Sequence, residues 1–330
     1  MKRAKFIFVC LTVLLLCVGC GKPKEQAEVN LRLGHIQSAK DIWHKASLVF
    51  KEELEKRSGG KITATIYPSS TLGGDRDIVE GMQLGTIDMG LIAGVLGNFE
   101  PSIQLFEIPY LMTNEQEYET IVKGEVGGII VERLRQRAGV HILDFWDRGP
   151  REVSSNKPIN TIQDIKGLKI RIPEIQAMEA VWSAMGASPT TMAWGEVYTA
   201  LEQNVIEAQE NPVPFMYSGR IQEVQKYIAM TDHKFEYVTL SISEKTWQSL
   251  TEEQQKIVRE AADAATKYQN DTVNQVAKEN LQEMIDAGMK ITYPDKKEFQ
   301  DAAKEASRIY GESVDADLYN KIIQDLEAMK

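Results

Sequence analysis

Four residues offer the plainest chemistry in this sequence: Arg171, Arg151, Asn211 and Trp194. Arg171 sits near the carboxyl end of the apolar run Leu168-Lys169-Ile170-Arg171-Ile172, which Pro173 closes. In open α/β sheets, ligands bind beyond the carboxyl ends of strands. A guanidinium there presents a rigid two-pronged donor matched to a carboxylate. The same side chain could equally form a structural ion pair with a neighbouring acid. Arg151 follows Gly149-Pro150, where a hinge or cleft wall would fall, and carries the same two readings. Asn211, between Glu210 and Pro212, either donates its amide to an anion or caps a helix beginning near Val213. Trp194 opens a helical stretch to Gln203, and there it either walls a pocket or fills the core.

Templates for catalysis are missing. The four histidines, His35, His44, His141 and His233, show no HExxH or other ligand spacing. Gly94-Val95-Leu96-Gly97 is not a dinucleotide fingerprint, and no Walker sequence or GxSxG elbow occurs. Ser69 and Ser70 follow Pro68 in a turn and have no base in sequence context. Cys10, Cys17 and Cys20 are the only cysteines, so the folded body has neither a disulfide framework nor a thiolate metal site. No catalytic residue, cofactor or metal is therefore expected. The chain carries a net charge of -10, which becomes -13 once Lys2, Arg3 and Lys5 leave with a leader. A protein this acidic is not a nucleic-acid binder.

The elements that must position these residues alternate. Lys2, Arg3 and Lys5 precede the apolar Phe6 to Leu16, which is a targeting segment too short for a comfortable membrane span. Cys17-Val18-Gly19-Cys20 resembles a bacterial lipobox, with cleavage before Cys20 and lipid on its thiol; a plain secretory leader is the alternative. Strand signals at Leu31 to His35, Ile62 to Ile66, Ile87 to Ile92 and His141 to Trp146 flank helix patterns at 39–57, 75–83 and 125–137. The grammar then repeats with a strand at 168–172, a helix at 174–185, a strand ending in Gln209-Glu210-Asn211-Pro212 and a crossing strand at Tyr237 to Ser243. Strands alternating with helices give an α/β fold.

A short internal echo reinforces the repeat. Glu80 to Asp88 lies over Tyr198 to Glu207, each running helix, then Gly85 or Asn204, then an apolar pair, then an acid. Gly and Asn both tolerate the left-handed conformation that ends a helix. Two such units imply two lobes, and two lobes imply a cleft. Thr251-Glu252-Glu253-Gln254 is a capping box, and no Gly or Pro follows until Gly288. That helix would run about 50 Å, too long for one lobe, so it should lie across both. Helices at 296–310 and 315–329 close the chain. The expected division is a leader at 1–19, a tether at 20–29, lobe I at 30–148 plus 237–276, and lobe II at 149–236 plus 277–330.

The motifs then match a family. WDRGPREVSSNKPI holds Arg151, DIKGLKIRIP holds Arg171, TTMAWGEVYTALEQ holds Trp194, AQENP holds Asn211 and EVQKYIAMTDH holds His233, in one order. With SGGKITATIYPSSTLGGDRDIVEGMQLGTIDMG and FEIPYLM, the likeness covers nearly all the chain after the tether. This resembles the extracytoplasmic solute receptors of tripartite ATP-independent periplasmic (TRAP) transporters. The resemblance implies a two-lobed periplasmic-binding-protein-like fold whose central cleft closes over an organic acid, with a long helix spanning both lobes. It implies that Arg171 pairs with the ligand carboxylate, that Arg151 and Asn211 assist, that Trp194 walls the pocket and that His233 belongs to the site. Phenylalanine is more usual at the Trp194 position, and Gly and Asp at those of Asn204 and Glu207.

The first lobe should supply the opposite wall near His35, Gln37, Asp75, Arg76, Asp77 and Glu80, with Glu174 added from the second. So many polar groups favour a hydroxylated acid such as a uronate or keto-gulonate over a C4-dicarboxylate. The same acids could instead be solvated surface residues. The expected protein is a receptor, anchored outside the cytoplasmic membrane by lipid on Cys20, that delivers its acid to an ion-gradient-driven permease. A sensory ligand-binding protein and an extracellular enzyme acting on the same acids are the alternatives.

Overall fold

Ile62 and Ala64 are buried while Thr63 and Thr65 between and beyond them are partly exposed, the period of two that makes a half-buried strand. The computed structural model, which describes residues 28–330, places β1 (Val29–Gly34) parallel to this strand, β2 (Ile62–Tyr67). Between them runs α1 (Ile42–Ser58), started by Asp41, whose carboxylate accepts from the Trp43 amide, and stopped by Gly59 at φ 63. Next come α2 (Asp75–Leu84) and β3 (Met89–Ile92), the latter parallel to β1 on its other side. Then α3 (Glu115–Val122) and α4 (Glu125–Arg133) lead into the 16-residue β4 (Val140–Ser155).

A second half repeats the first. It consists of β5 (Lys169–Ile172), α5 (Gln176–Ala184), β6 (Ser188–Thr191), α6 (Trp194–Glu202), β7 (Ala208–Pro212), α7 (Val213–Ser218) and the 17-residue β8 (Tyr227–Ser243). The chain closes with α8 (Glu244–Ser249), α9 (Glu252–Asp286), β9 (Lys290–Thr292) and α10 (Lys296–Ala328). The leader at 1–19, the lipidation site at Cys20 and most of the tether lie outside the described residues.

One sheet joins the halves in the order β2-β1-β3-β8-β4-β7-β5-β6, with β9 beside β8. The order is the same from either end once each strand is replaced by its counterpart in the other half. The halves exchange their fourth strands: β8 pairs with β3, and β4 with β7. These two long strands also pair with each other antiparallel, from Val140 opposite Ser243 to Ser155 opposite Tyr227, and so carry the chain between the lobes.

The echo between Gly85 and Asn204 is an equivalence in space. Gly85 has φ 81 and Asn204 φ 56. The amides of Ile87 and Ile206 return to Gly81 and Ala200, and those of Asp88 and Glu207 bond Arg32 and Lys169 on the adjacent strand. The long helix also forms as expected: α9 has 35 residues and the Thr251–Gln254 capping box. Val258, Ala261 and Ala265 pack with Leu31 and Phe50 of the first half, whereas Met284 packs with Ile206 and Met216 of the second. Helix α10 breaks at Asp315 (φ -161), whose carboxylate then accepts from the Leu318 amide, so two closing helices are present in substance. It packs on α5 and also on α3 and α4, touching both halves.

Two boundaries need correction. The strand expected at His141 to Trp146 continues to Ser155, and the one expected at Tyr237 to Ser243 starts at Tyr227. Gly149-Pro150 is therefore a kink within β4, at a register shift between Asp147 and Pro150, and not a linker. The alternating pattern was broken by charged residues that are nonetheless buried, among them Arg148, Arg151, Lys234 and Glu236. Replacing Asn204 with alanine should lower stability by about 1 kcal/mol, because alanine resists the left-handed turn. A urea midpoint that falls with an unchanged slope is the expected result.

Candidate ligand-binding site

Strand β5 is flanked by β6 and β7, so both its backbone edges are paired, and Ile170, Arg171 and Ile172 are buried while Lys169 is exposed. Arg171 is 3% exposed, and its Nε and Nη2 both donate to the Met192 carbonyl, at 2.9 and 2.5 Å. The guanidinium carbon lies 5.8 Å from the Trp194 ring centroid. No carboxylate forms a salt bridge with it among the described residues. Burial accordingly pushes its pKa down to about 10.

Arg151 contrasts with it. Its Nε and Nη2 donate to both carboxylate oxygens of Glu210, Nη2 also to the Glu210 carbonyl, and Nη1 to Glu236 at 2.5 Å. One N–H is left for any ligand. Glu236 is shared: its other oxygen accepts from Arg148 Nη1 at 2.5 Å, and Lys234 stands 3.4 Å away. Burial pushes the Glu236 carboxyl up, but Arg148, Arg151 and Lys234 outweigh it and hold the group below the ordinary carboxylate range. Lys234 also meets Glu107 at 2.5 Å. Behind Glu210, His233 Nε2 lies 3.0 Å from its carboxylate, and burial pushes this imidazole below its usual pKa.

A cavity of about 530 Å³ opens in front of this network, between the two halves. Arg171, Arg151, Asn211, Trp194 and Glu174 line it, and so do Asp75, Arg76 and Asp77 across the cleft. Asn211 donates to Gln209 at 2.9 Å, an amide pair that sets its orientation. Trp194 packs 4.4 Å from Phe215 and begins α6, whose first turn lines the cavity with no side-chain cap on its amides. Such an uncapped start favours an anion. Asp77 accepts from the Gly74 amide and so serves the start of α2. Arg76 and Glu174 meet at 3.0 Å, and Asn98 donates to the Glu174 carbonyl at 3.2 Å, so the mouth of the cleft is bridged by exposed groups of modest strength.

Four expected residues lie elsewhere. His35 is in the core, 3.2 Å from His44 Nδ1, and burial together with His44 drives its pKa to about 3. Gln37 accepts from Ser218, a contact between the halves behind the cavity wall. Glu80 faces outward and pairs with Arg76 at 3.1 Å. His233 forms the layer behind Glu210. Conversely, Arg148, Glu236, Trp43 and Phe215 line the cavity without having been anticipated. Arg148 and Arg151 are three positions apart and would face opposite sides of a regular strand; the register shift at Asp147 to Pro150 turns both toward Glu236. No sequence pattern marks that shift beyond Gly149-Pro150 itself. Among the described residues, no cluster of His, Cys, Asp or Glu could hold a metal.

The family model for bacterial extracellular solute-binding proteins, family 7, matches residues 33–313. The chain belongs to this family. A solute-binding protein of Roseobacter denitrificans is 37% identical over 279 residues, which is 84% of this chain and 86% of the relative. The 2,3-diketo-L-gulonate-binding periplasmic protein of Escherichia coli is 32% identical over 279 residues, 84% of this chain and 85% of that protein. The crystal structure of a TRAP periplasmic solute-binding protein from Roseobacter denitrificans with bound L-galactonate matches with a TM-score of 0.83 at 36% identity, covering 86% of this chain and 95% of that one. Family 7 proteins are extracytoplasmic receptors, and the two-lobed α/β architecture is theirs. No helix of the described residues is long and apolar enough to cross a membrane.

Two measurements follow for this family 7 receptor without ligand. Arg151→Met should cost about 3–5 kcal/mol by leaving buried Glu210 and Glu236 short of a cation. Arg171→Met should change stability by less than about 1 kcal/mol, since it removes an unpaired charge. Denaturant unfolding of both variants checks the contrast. Asp75 supplies a pH test. Burial pushes its carboxyl up to about 7, opposed by Arg148 and Arg171 and helped by Glu236. A raised folded pKa stabilises below the unfolded value, and that stability is lost as pH rises to about 7. Thermal melts should therefore shift in favour of Asp75→Asn by about 2 kcal/mol between about pH 4 and pH 8, allowing for partial solvent contact.

Proposed function

We propose that this protein captures a hydroxylated sugar acid, a uronate or keto-gulonate, outside the cytoplasmic membrane and presents it to a TRAP permease. One observation carries the reading. Arg171 is a buried guanidinium in the wall of an interlobe cavity, and among the described residues it has no carboxylate in a salt bridge, while the other cations there each have one. A ligand carboxylate is the missing anion. Arg171 would hold it, with the remaining N–H of Arg151 and the Asn211 amide beside it and Trp194 as the wall. Closure of the lobes excludes water and strengthens these charge-assisted bonds. Asp75, Arg76 and Glu174 would meet ligand hydroxyls from the cleft side. The lobes in this reading are 30–148 with 237–276 and 149–236 with 277–330.

The relatives' ligands support the same chemical class, since L-galactonate and 2,3-diketo-L-gulonate are both polyhydroxylated acids. Lipid on Cys20, after removal of residues 1–19, would keep the receptor at the outer face of the membrane where its permease lies.

Calorimetry of Arg171→Ala should show affinity lost by about 2–5 kcal/mol. Near-wild-type affinity would mean that the acid is not held there. In a thermal-shift screen, D-glucuronate, L-galactonate and 2,3-diketo-L-gulonate should include the strongest stabiliser, ahead of succinate. A larger shift with succinate would favour a C4-dicarboxylate receptor instead.

A further inference from the structure

Arg148 is a third buried guanidinium in the cavity wall, and the carboxylate clamp makes no use of it. It is 3% exposed and held between two rings, its Cζ 4.8 Å from the centroid of Trp43 and 4.8 Å from that of Phe215. Its hydrogen bonding within the described residues consists of Nη1 donating to Glu236. A guanidinium has five N–H donors, so Nε and Nη2 lack a protein acceptor. In Arg151, three residues on, Nε, Nη1 and Nη2 all donate. Arg148 lines the cavity, so these donors are open to an acceptor that enters it. Glu236 is not held by Arg148 alone, because Arg151 and Lys234 also face it.

Arg148 shares Glu236 with Arg151 but is set apart from Arg171, the centre of the acid clamp. Arg171 lies over Trp194, Trp194 packs on Phe215, and Phe215 carries Arg148, so a row of rings links two separate stations. Asp75 lines the same cavity with Oδ1 buried and without a partner. Idle donors and an idle acceptor in one cavity fit a hydroxyl group, which accepts up to two hydrogen bonds and donates one. A second carboxylate would bring like charge toward Asp75.

We propose that Arg148 is the specificity-determining residue for the hydroxylated tail of the ligand. Its Nε and Nη2 donate to a tail hydroxyl oxygen, and that hydroxyl donates to Asp75. The assignment rests on the sugar-acid reading and names the residue that selects within the class.

Calorimetric titration of wild type, R148M and R148K with L-galactonate and with the shorter D-erythronate tests it. R148M should weaken L-galactonate binding about 30-fold, and R148K about tenfold, since lysine keeps the charge but loses the planar fork. D-erythronate, with less tail to hold, should change by less than about threefold. Thermal melts of the unliganded variants report whether the fold is kept, and R148K serves if R148M melts early. L-galactonate affinity unchanged in both variants would overturn the proposal. Equal losses for the two acids would also overturn it, by placing Arg148 at the acid end. A wild-type protein that binds neither acid would instead sink the sugar-acid reading beneath it.

Discussion

Glu236 is the group on which the molecule turns. Its two oxygens hold Arg148 and Arg151, and Lys234 stands within reach, where β4 and β8 run side by side between the lobes. With Glu107 and Glu210, the buried set has a carboxylate for each of three buried cations. Taking so many charges out of water costs several kcal/mol per ion and is tolerable only with the set complete. Completeness there is what makes Arg171 distinctive. It lies outside the set, on a strand of one half only, so the cavity's unanswered positive charge is concentrated on one side chain.

The repeat in the fold explains why the site draws on both halves. Helices α2 and α6 are counterparts, and both begin at the cavity: Asp75 and Arg76 at one start, Trp194 and Gly195 at the other. The two starts are chemically unlike. α2 opens with two acids, Asp75 and Asp77, whereas the first turn of α6 has one, Glu196, beside Trp194 and Gly195. In the proposed reading, the ligand's acid end faces the second half, with Arg171, and its hydroxyls face the first, with Asp75. A duplicated framework thus presents two different walls to one ligand.

Much of this was legible in the sequence wherever the signal was local. Thr251 and Gln254 announce α9, Gly59 and Gly139 end what precedes them, and Arg171 stands out as a charge in an apolar strand closed by proline. The echo around Gly85 and Asn204 was legible because a left-handed turn admits few residue types. What was not legible depended on distant partners. The full lengths of β4 and β8 were hidden because Arg151 and Glu236 look like solvent-facing residues until each is seen beside the other. Arg148 was hidden by the register shift. His35 was misplaced because a strand end does not reveal which way the next side chain turns, and it turns to His44. Arg151 was placed at the cavity correctly, but its commitment to Glu210 could not be read from spacing.

The exchange of fourth strands also sets an order in time. As the chain emerges from its amino end, β2, β1 and β3 can assemble early, but the free edge of β3 waits for β8, which comes after most of the chain. The second half has no such delay, because its partner strand β4 already exists when β7 appears. The lobe made first is therefore completed last. Its contacts are long in sequence and slow to form. The wiring of the sheet itself thus postpones the finished fold until β8 has been made.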